Sequence, residues 1–419
     1  MLSCDCREYP VIAGIPLLFP DAVAERDVNV QHLISLIRAG KTQQALVEVL
    51  TPKELGPEGY KKTDRSLLYK LLPSSFSKKM EIRHRNSIRK KWQSTLLELA
   101  DSQGPGSTIE LFQHYFKVHT AGQRAADYFS YRFGQPKYLT TLSLAESMPI
   151  SDGRVIDLGC GAGHFTRNLL LRNKGELVYG VDQDFFLLWI ANTRIAPGAQ
   201  YICANLEFGL PFRSRIFSSI LMSNFFQFLY GKKQLAVESE RTLIELGGVI
   251  IISSLRHSGF SPPTPNQAIS IENYQQLFSM PSVAVSDDDV LSKYIEGHGP
   301  NLTGEVDLAA LKHAPLISIV ASNMPQTFKQ YGDFNIPPHQ LGNPSINPLY
   351  KEVVSSEFGA PESSVKGNAN FEIVWPSKQF IEDNEGIDRL LPSSLNSKKA
   401  QSLKSDENFG IYIDYPKNY

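Results

Sequence analysis

The stretch Arg154-Val-Ile-Asp157-Leu-Gly159-Cys160-Gly161-Ala-Gly163-His164 decides the fold. A short apolar run ends on a carboxylate, glycines follow at alternate positions, and an amphipathic helix starts at once. Glycines raise no side-chain walls, so a ligand can approach the backbone closely. The helix start adds unpaired N–H groups and a positive dipole, which suit a carboxylate or a phosphate. A dinucleotide fingerprint would set its third glycine where His164 stands; the spacing here is G-x-G-x-G.

Downstream, apolar strands alternate with amphipathic helices. Strands are expected at 154–158, 177–182, 201–203, 217–223 and 248–254, and helices begin near His164, Phe185 and Lys232. That order argues for βαβ units and an α/β, Rossmann-like three-layer sandwich with a mostly parallel sheet. The second strand closes on Asp182, with Gln183 next, where a carboxylate can accept both hydroxyls of a ribose. Asn205 and Leu206 follow the third strand, and the fourth ends at Ser223, ahead of Phe225. A later apolar run, Pro315–Ala321, reads as a further strand of the sheet. The intervening segment, about 256–312, is expected to be an insertion that serves as a lid.

Working outward, residues 4–20 alternate short apolar runs with turn formers and read as a small hairpin. Residues 29–51 show helical spacing broken at Ala39-Gly40-Lys41, and more helix runs to about Leu99. The turn formers of 101–108 mark a linker. The segment 109–148 is helical and rich in aromatic residues, with Tyr131 placed to close over a ligand. The tail is rich in Pro, Asn and Ser but holds two segments able to pair or pack, Phe371–Trp375 and Ile411–Tyr415. The expected division is therefore 1–105, 106–325 and 326–419.

With 42% hydrophobic and 20% charged residues among 419, the chain has a globular composition and no apolar run of membrane-spanning length. A formal net charge of -1 supplies no bulk attraction to nucleic acid or to an anionic membrane, and neither partner is expected. One basic run, Lys78, Lys79, Arg83, Arg85, Arg89, Lys90 and Lys91, reads as a solvated helix face. Four cysteines are too few and too uneven to staple this length, which fits a reducing cytoplasm. Gly14, Pro16 and Pro20 interrupt the first apolar stretch, so it does not read as a signal peptide.

The glycine loop, Asp182 and the segment Cys203-Ala-Asn205-Leu206-Glu207, followed by Leu210-Pro-Phe212, resemble class I S-adenosylmethionine (SAM)-dependent methyltransferases over roughly 125–255. The resemblance implies SAM as cofactor, held by Asp157, Gly159, Cys160, Gly161, Gly163, Asp182, Gln183, Asn205, Leu206, Ser223 and Tyr131. The family usually carries Asp at the place of Asn205; an amide oxygen still accepts a hydrogen bond, without charge assistance. Gln227 stands where close relatives carry His. Tyr9-Pro10-Val11 followed by Gly14-Ile15-Pro16 resembles the Trm112-like zinc-ribbon module that precedes some bacterial methyltransferases. A single C-x-C, Cys4 and Cys6, falls short of the four ligands of a closed zinc site, so no metal is expected.

Methyl transfer from a sulfonium is an in-line displacement in which positioning does most of the work. For a hydroxyl acceptor, His257, just past the fifth strand, is the candidate base, whereas His164 is expected to shape the site. The acceptor implied is the O or N of a small molecule. Two alternatives stand beside it: a SAM-binding scaffold without turnover, and an RNA or protein methyltransferase that docks through the basic run.

Overall fold

The computed structural model describes residues 1–4, 7–23, 28–55, 74–101, 107–149, 153–172, 177–260, 268–305, 308–334, 344–353, 370–384, 412–416 and 419. The chain opens with two antiparallel hairpins, β1 (Leu2–Cys4) with β2 (Arg7–Tyr9), and β3 (Val11–Ile12) with β4 (Ile15–Pro16). Ala13 and Gly14, both at positive φ, form the tight turn of the second. Leu17 then bridges Cys203 in parallel, and the Leu18 N–H donates to the Cys203 carbonyl at 2.8 Å. The N-terminal segment thereby covers an edge of the main sheet that would otherwise present unpaired backbone. Cys6 lies outside the described residues.

Helices α1 (Val30–Arg38) and α2 (Thr42–Leu50) meet at Gly40, as the break at 39–41 predicts. Asn29 caps the first through a hydrogen bond from the Gln31 N–H at 2.7 Å. Next come α3 (Ser74–Asp101), α4 (Ser107–Phe116), α5 (Gly122–Ser130) and α6 (Pro136–Leu144). The basic run lies on α3, where Arg83, Lys90 and Lys91 are exposed; the side chains of Lys78 and Lys79 are outside the described set.

The main sheet has seven strands: β5 (Arg154–Leu158), β6 (Val178–Asp182), β7 (Gln200–Cys203), β8 (Phe217–Ser223), β9 (Val249–Leu255), β10 (Ser282–Ser286) and β11 (Ile317–Ser322). Their spatial order is β10-β11-β9-β8-β5-β6-β7. All pair in parallel except β11, which lies antiparallel to both β9 and β10. Helices α7 (His164–Arg172), α8 (Phe185–Ile190) and α9 (Lys232–Thr242) connect the parallel strands. Alternate residues feed opposite faces: Val155, Leu221 and Ile251 join one apolar cluster, Ile156, Ile220 and Ile252 the other. Both faces are covered, which is why residues 220–222 of β8 and 249–252 of β9 are continuous apolar stretches.

The segment expected to be a lid belongs largely to the body. After α10 (Ile271–Gln275) it supplies β10 at the sheet edge, and α11 (Asp287–Ile295) then packs on α6. Residues 261–267 lie outside the described set. In the C-terminal extension, β12 (Pro344–Ile346) pairs with β15 (Tyr412–Asp414) and β13 (Tyr350–Val353) with β14 (Asn370–Ile373). The extension is tied to the domain by Asp414, whose two oxygens accept from Arg167 of α7 at 2.6 and 2.9 Å. Among the described residues no helix is long and apolar enough to cross a membrane.

Asp287 locks the antiparallel end. Its carboxylate accepts from Ser254 of β9 at 2.8 Å and Ser318 of β11 at 2.6 Å, deep in the body. Burial raises its pKa to about 6 against the two stabilising hydroxyls. The folded chain therefore keeps a proton that the unfolded chain releases near pH 4. The stability this contributes is complete below that pH and is lost as pH rises through about 6. Asp287→Asn removes the loss, so between pH 4 and 8 the variant should gain about 2 to 3 kcal/mol relative to the native chain. Thermal melts at both pH values check this; a difference that does not vary with pH contradicts it.

Candidate functional site

The chain leaves β5 for β6 and β7 on one side, then returns to lay β8 on the other. That reversal opens a crevice at the carboxyl ends of β5 and β8, where open α/β sheets take their ligands. The register pairs Asp157 with Leu221, so Gly159, just past the end of β5, and Ser223, at the end of β8, both stand at its mouth.

The glycine loop is pinned from the β6 side. The N–H groups of Gly159 and Cys160 both donate to the Val181 carbonyl, at 2.8 and 3.1 Å. Asp182 accepts from the Gly161 N–H on one oxygen and the Asp184 N–H on the other, both at 2.9 Å. Desolvation raises the Asp182 pKa to about 6, while those backbone donors pull it down. Asp184 in turn caps α8 through the N–H groups of Phe186 and Leu187. Each carboxylate oxygen has a second lone pair, so Asp182 keeps acceptor capacity toward the crevice.

Gly159, Gly161 and Gly163 all have positive φ. Gly159 also has no room for a side chain: an added Cβ would stand 2.3 Å from Cγ of Phe225. At Gly163 it would stand 2.7 Å from the Ala191 Cβ. Aromatic rings thus border the loop, Phe225 at Gly159 and Phe129 at Gly161.

The other expected residues fall into two groups. Asp157 is buried beneath the loop, where it accepts from the Thr166 hydroxyl at 2.9 Å, and burial pushes its pKa up to about 7. Cys160 is buried with its thiol raised by desolvation, and it packs under the loop near Gly180. Asn205 caps a short turn by accepting from the Glu207 N–H at 2.9 Å, with Leu206 buried behind it. Gln183 is exposed at the end of β6, and Ser223 ends β8. These converge on the carboxyl edge.

Tyr131 and His257 do not join them through any described hydrogen bond or ring contact. The Tyr131 ring meets Phe380 of the C-terminal extension edge-on at 5.6 Å. His257 is 2% exposed, with Nε2 2.8 Å from the Ala314 carbonyl and Nδ1 turned toward Gly259 without a donor. His164 starts α7, with Nε2 near the Phe129 carbonyl and the Tyr419 hydroxyl. Desolvation drives its pKa well down, so the ring is neutral.

Arg132, which the sequence reading passed over, also reaches the crevice. Arg132, in the turn between α5 and α6, donates to Ser223 Oγ at 3.1 Å. Tyr128 lies under its guanidinium and its hydroxyl meets Asn224 Nδ2 at 3.3 Å. Gln227 is buried; its amide nitrogen donates to Asn224, and its Oε1 has no donor. The available signal for Arg132 was a cation set among Tyr128, Phe129, Tyr131 and Phe133. A cavity of about 970 Å³ lies elsewhere, lined by His32, Glu48, Arg89 and Lys90 among others, and opens widely to solvent.

Residues 156–252, from β5 to β9, match the family model described as a methyltransferase domain. The glycine loop and the five parallel strands β5 to β9 lie within or directly beside that span. Among solved structures the chain is similar to a TehB-like SAM-dependent methyltransferase from Corynebacterium glutamicum, at 18% identity over 44% of this chain and 88% of that one, TM-score 0.32. A SAM-dependent methyltransferase of Thermotoga maritima, described as a possible histamine N-methyltransferase, shows 17% identity over 51% and 100%, TM-score 0.34. The plantazolicin methyltransferase, solved with a substrate analogue and SAH, shows 15% identity over 55% and 99%, TM-score 0.37. Likeness at these scores carries no weight of its own, and the fold rests on the strand order. No curated protein matches the chain.

The crowding at Gly159 is directly testable. Gly14 also has positive φ, but an added Cβ there meets nothing within 4 Å. Gly14→Ala should therefore cost only the backbone term, about 1 kcal/mol, whereas Gly159→Ala adds a clash and should cost roughly 3 kcal/mol or more. Denaturant unfolding measures both; equal losses would contradict the packing described.

Proposed function

We propose that the chain is a SAM-dependent methyltransferase acting on the O or N of a small molecule. The observation that carries the reading is the Asp182 carboxylate, fastened to the glycine loop at the switch point of the sheet, within the span that matches a methyltransferase domain. The residues present fit SAM chemically. A carboxylate with spare lone pairs suits the two ribose hydroxyls, and a side-chain-free loop admits the backbone of an amino-acid moiety. Asn205 Oδ1 already accepts from Glu207 and retains a second lone pair for an exocyclic amine.

When bound, SAM supplies an electrophilic methyl group on a sulfonium. The protein's part is orientation and exclusion of water: Asp182 fixes the nucleoside end, the glycine loop sets the approach, and Phe225 and Phe129 make the walls apolar. No proton transfer is assigned to His257, because a base must lie within hydrogen-bond reach of the acceptor and this ring is enclosed beside Gly259 and Ala314. The acceptor class follows the family resemblance, and the near-neutral net charge argues against RNA as acceptor.

A second reading, a SAM-binding scaffold without turnover, is favoured by Asn205 and Gln227, which stand where the family carries Asp and His. Calorimetric titration with SAM and its demethylated product separates cofactor binding from its absence. The native chain should bind both, and Asp182→Asn should weaken each by roughly tenfold or more. Lack of binding by the native chain would sink both readings; binding without transfer in an acceptor screen would support the scaffold.

A further inference from the structure

Helix α3 turns a polar face toward the α1–α2 hairpin. Asn86, Arg89, Lys90 and Gln93 recur at helical spacing and line a groove of about 970 Å³, to which α1 contributes His32 and α2 contributes Gln44 and Glu48. The helix packs on the body through another face, where Trp92 and Leu96 are buried and the Trp92 ring stacks on His114 at 5.0 Å. The core contacts of α3 thus leave its Arg89 and Lys90 side to the groove.

Two full positive charges meet one carboxylate in this groove, and that carboxylate is engaged. One oxygen of Glu48 lies 2.8 Å from His32 Nε2, and the other accepts from Gln44 Nε2 at 2.9 Å. Neither Arg89 nor Lys90 pairs with a carboxylate of any described residue. Several arginines elsewhere on the surface do find one: Arg38 holds Glu8, Arg124 holds Asp383 and Arg215 holds Glu245. Arg89 is half-buried, so its guanidinium gives up part of its hydration without gaining a counter-charge. Beside the two cations, Asn86 offers a donor and an acceptor, and Gln93, whose amide nitrogen donates to Thr51 at 2.8 Å, keeps its oxygen as an acceptor.

We propose that this groove is a second ligand site, apart from the crevice, that binds a small phosphate monoester through Arg89 and Lys90. A planar fork beside a point charge suits a tetrahedral anion, and a monoester carrying close to two negative charges matches two cations where a single carboxylate would leave one unmatched. The amides then serve the polar body of the ester. The volume lies at the upper end of what small-molecule sites span. A nucleic-acid strand is a poorer fit, because it is held by cations repeated along its track, and the described lining holds one adjacent pair together with a carboxylate. The proposal does not depend on the cofactor reading.

The experiment titrates the full chain calorimetrically with ribose 5-phosphate, ribose and a thymidine octanucleotide, and repeats the ester with the double variant Arg89→Gln, Lys90→Gln and with Lys91→Gln. The native chain should bind the ester saturably and prefer it to ribose by roughly tenfold or more. The double variant should lose that preference, whereas Lys91→Gln, an exposed neighbour outside the groove lining, should stay within about twofold of the native chain. Ester binding should also persist when demethylated SAM is present in excess. No saturable binding of the ester, or no preference over ribose, overturns the proposal whatever the variants do. Equal losses in the double variant and Lys91→Gln overturn it as diffuse attraction, and displacement by demethylated SAM overturns it by moving the ester to the crevice. An octanucleotide that binds tenfold or more tightly than the ester, through the same two residues, replaces the small molecule with a nucleic acid and overturns it as well.

Discussion

The bond from the Gly161 N–H to the Asp182 carboxylate is the constraint on which the site depends. It ties a loop that has no side chains of its own to the end of the neighbouring strand. The second oxygen holds the Asp184 N–H, and Asp184 then caps α8, so two carboxylates two residues apart set the loop, the strand end and the next helix together. Asp157 braces the same loop from beneath through Thr166, in the first turn of α7. With the loop fixed, the divergence of β6 and β8 from β5 leaves one crevice whose walls are Phe129, Phe225 and the Arg132 turn.

The terminal segments add to this frame without entering it. The Leu17 and Leu18 contacts close the β7 edge of the sheet. At the other end of the chain, Asp414 pairs with Arg167, and the Tyr419 hydroxyl reaches both His164 and the Phe129 carbonyl. The extension therefore bears on α7, the helix that begins where the glycine loop ends. Its bonds to His164 and Phe129 join the tail to the first turn of α7 and to the aromatic wall of the crevice.

Much of the domain was legible because its signals are local. The five parallel strands are short apolar runs bounded by turn residues, and the helices start where the amphipathic spacing starts, so the reading of Arg154–Leu158 and Phe217–Ser223 coincides with the structure. The stretch 256–312 was not legible as sheet. Its strand β10 is five residues long, begins and ends with serine, and gains its place only by pairing with β11 some thirty residues later. The site was legible where backbone geometry decided it and obscure where a turn decided it. Tyr131 and Arg132 are neighbours, yet the 132–134 turn sends one ring to Phe380 and the guanidinium to Ser223. His257 follows β9 as expected, but Ala314, ahead of β11 on the adjacent strand, encloses it.

The central claim is that the crevice between β5 and β8 is the cofactor site. Ultraviolet cross-linking of the intact chain with methyl-tritiated SAM, followed by peptide mapping, tests it most directly. The account predicts label on peptides from 157–166 or 219–229, bordering Gly159 and Phe225, suppressed by an excess of the demethylated product. Label confined to the groove lined by His32 and Glu48, or none that the product suppresses, would contradict it.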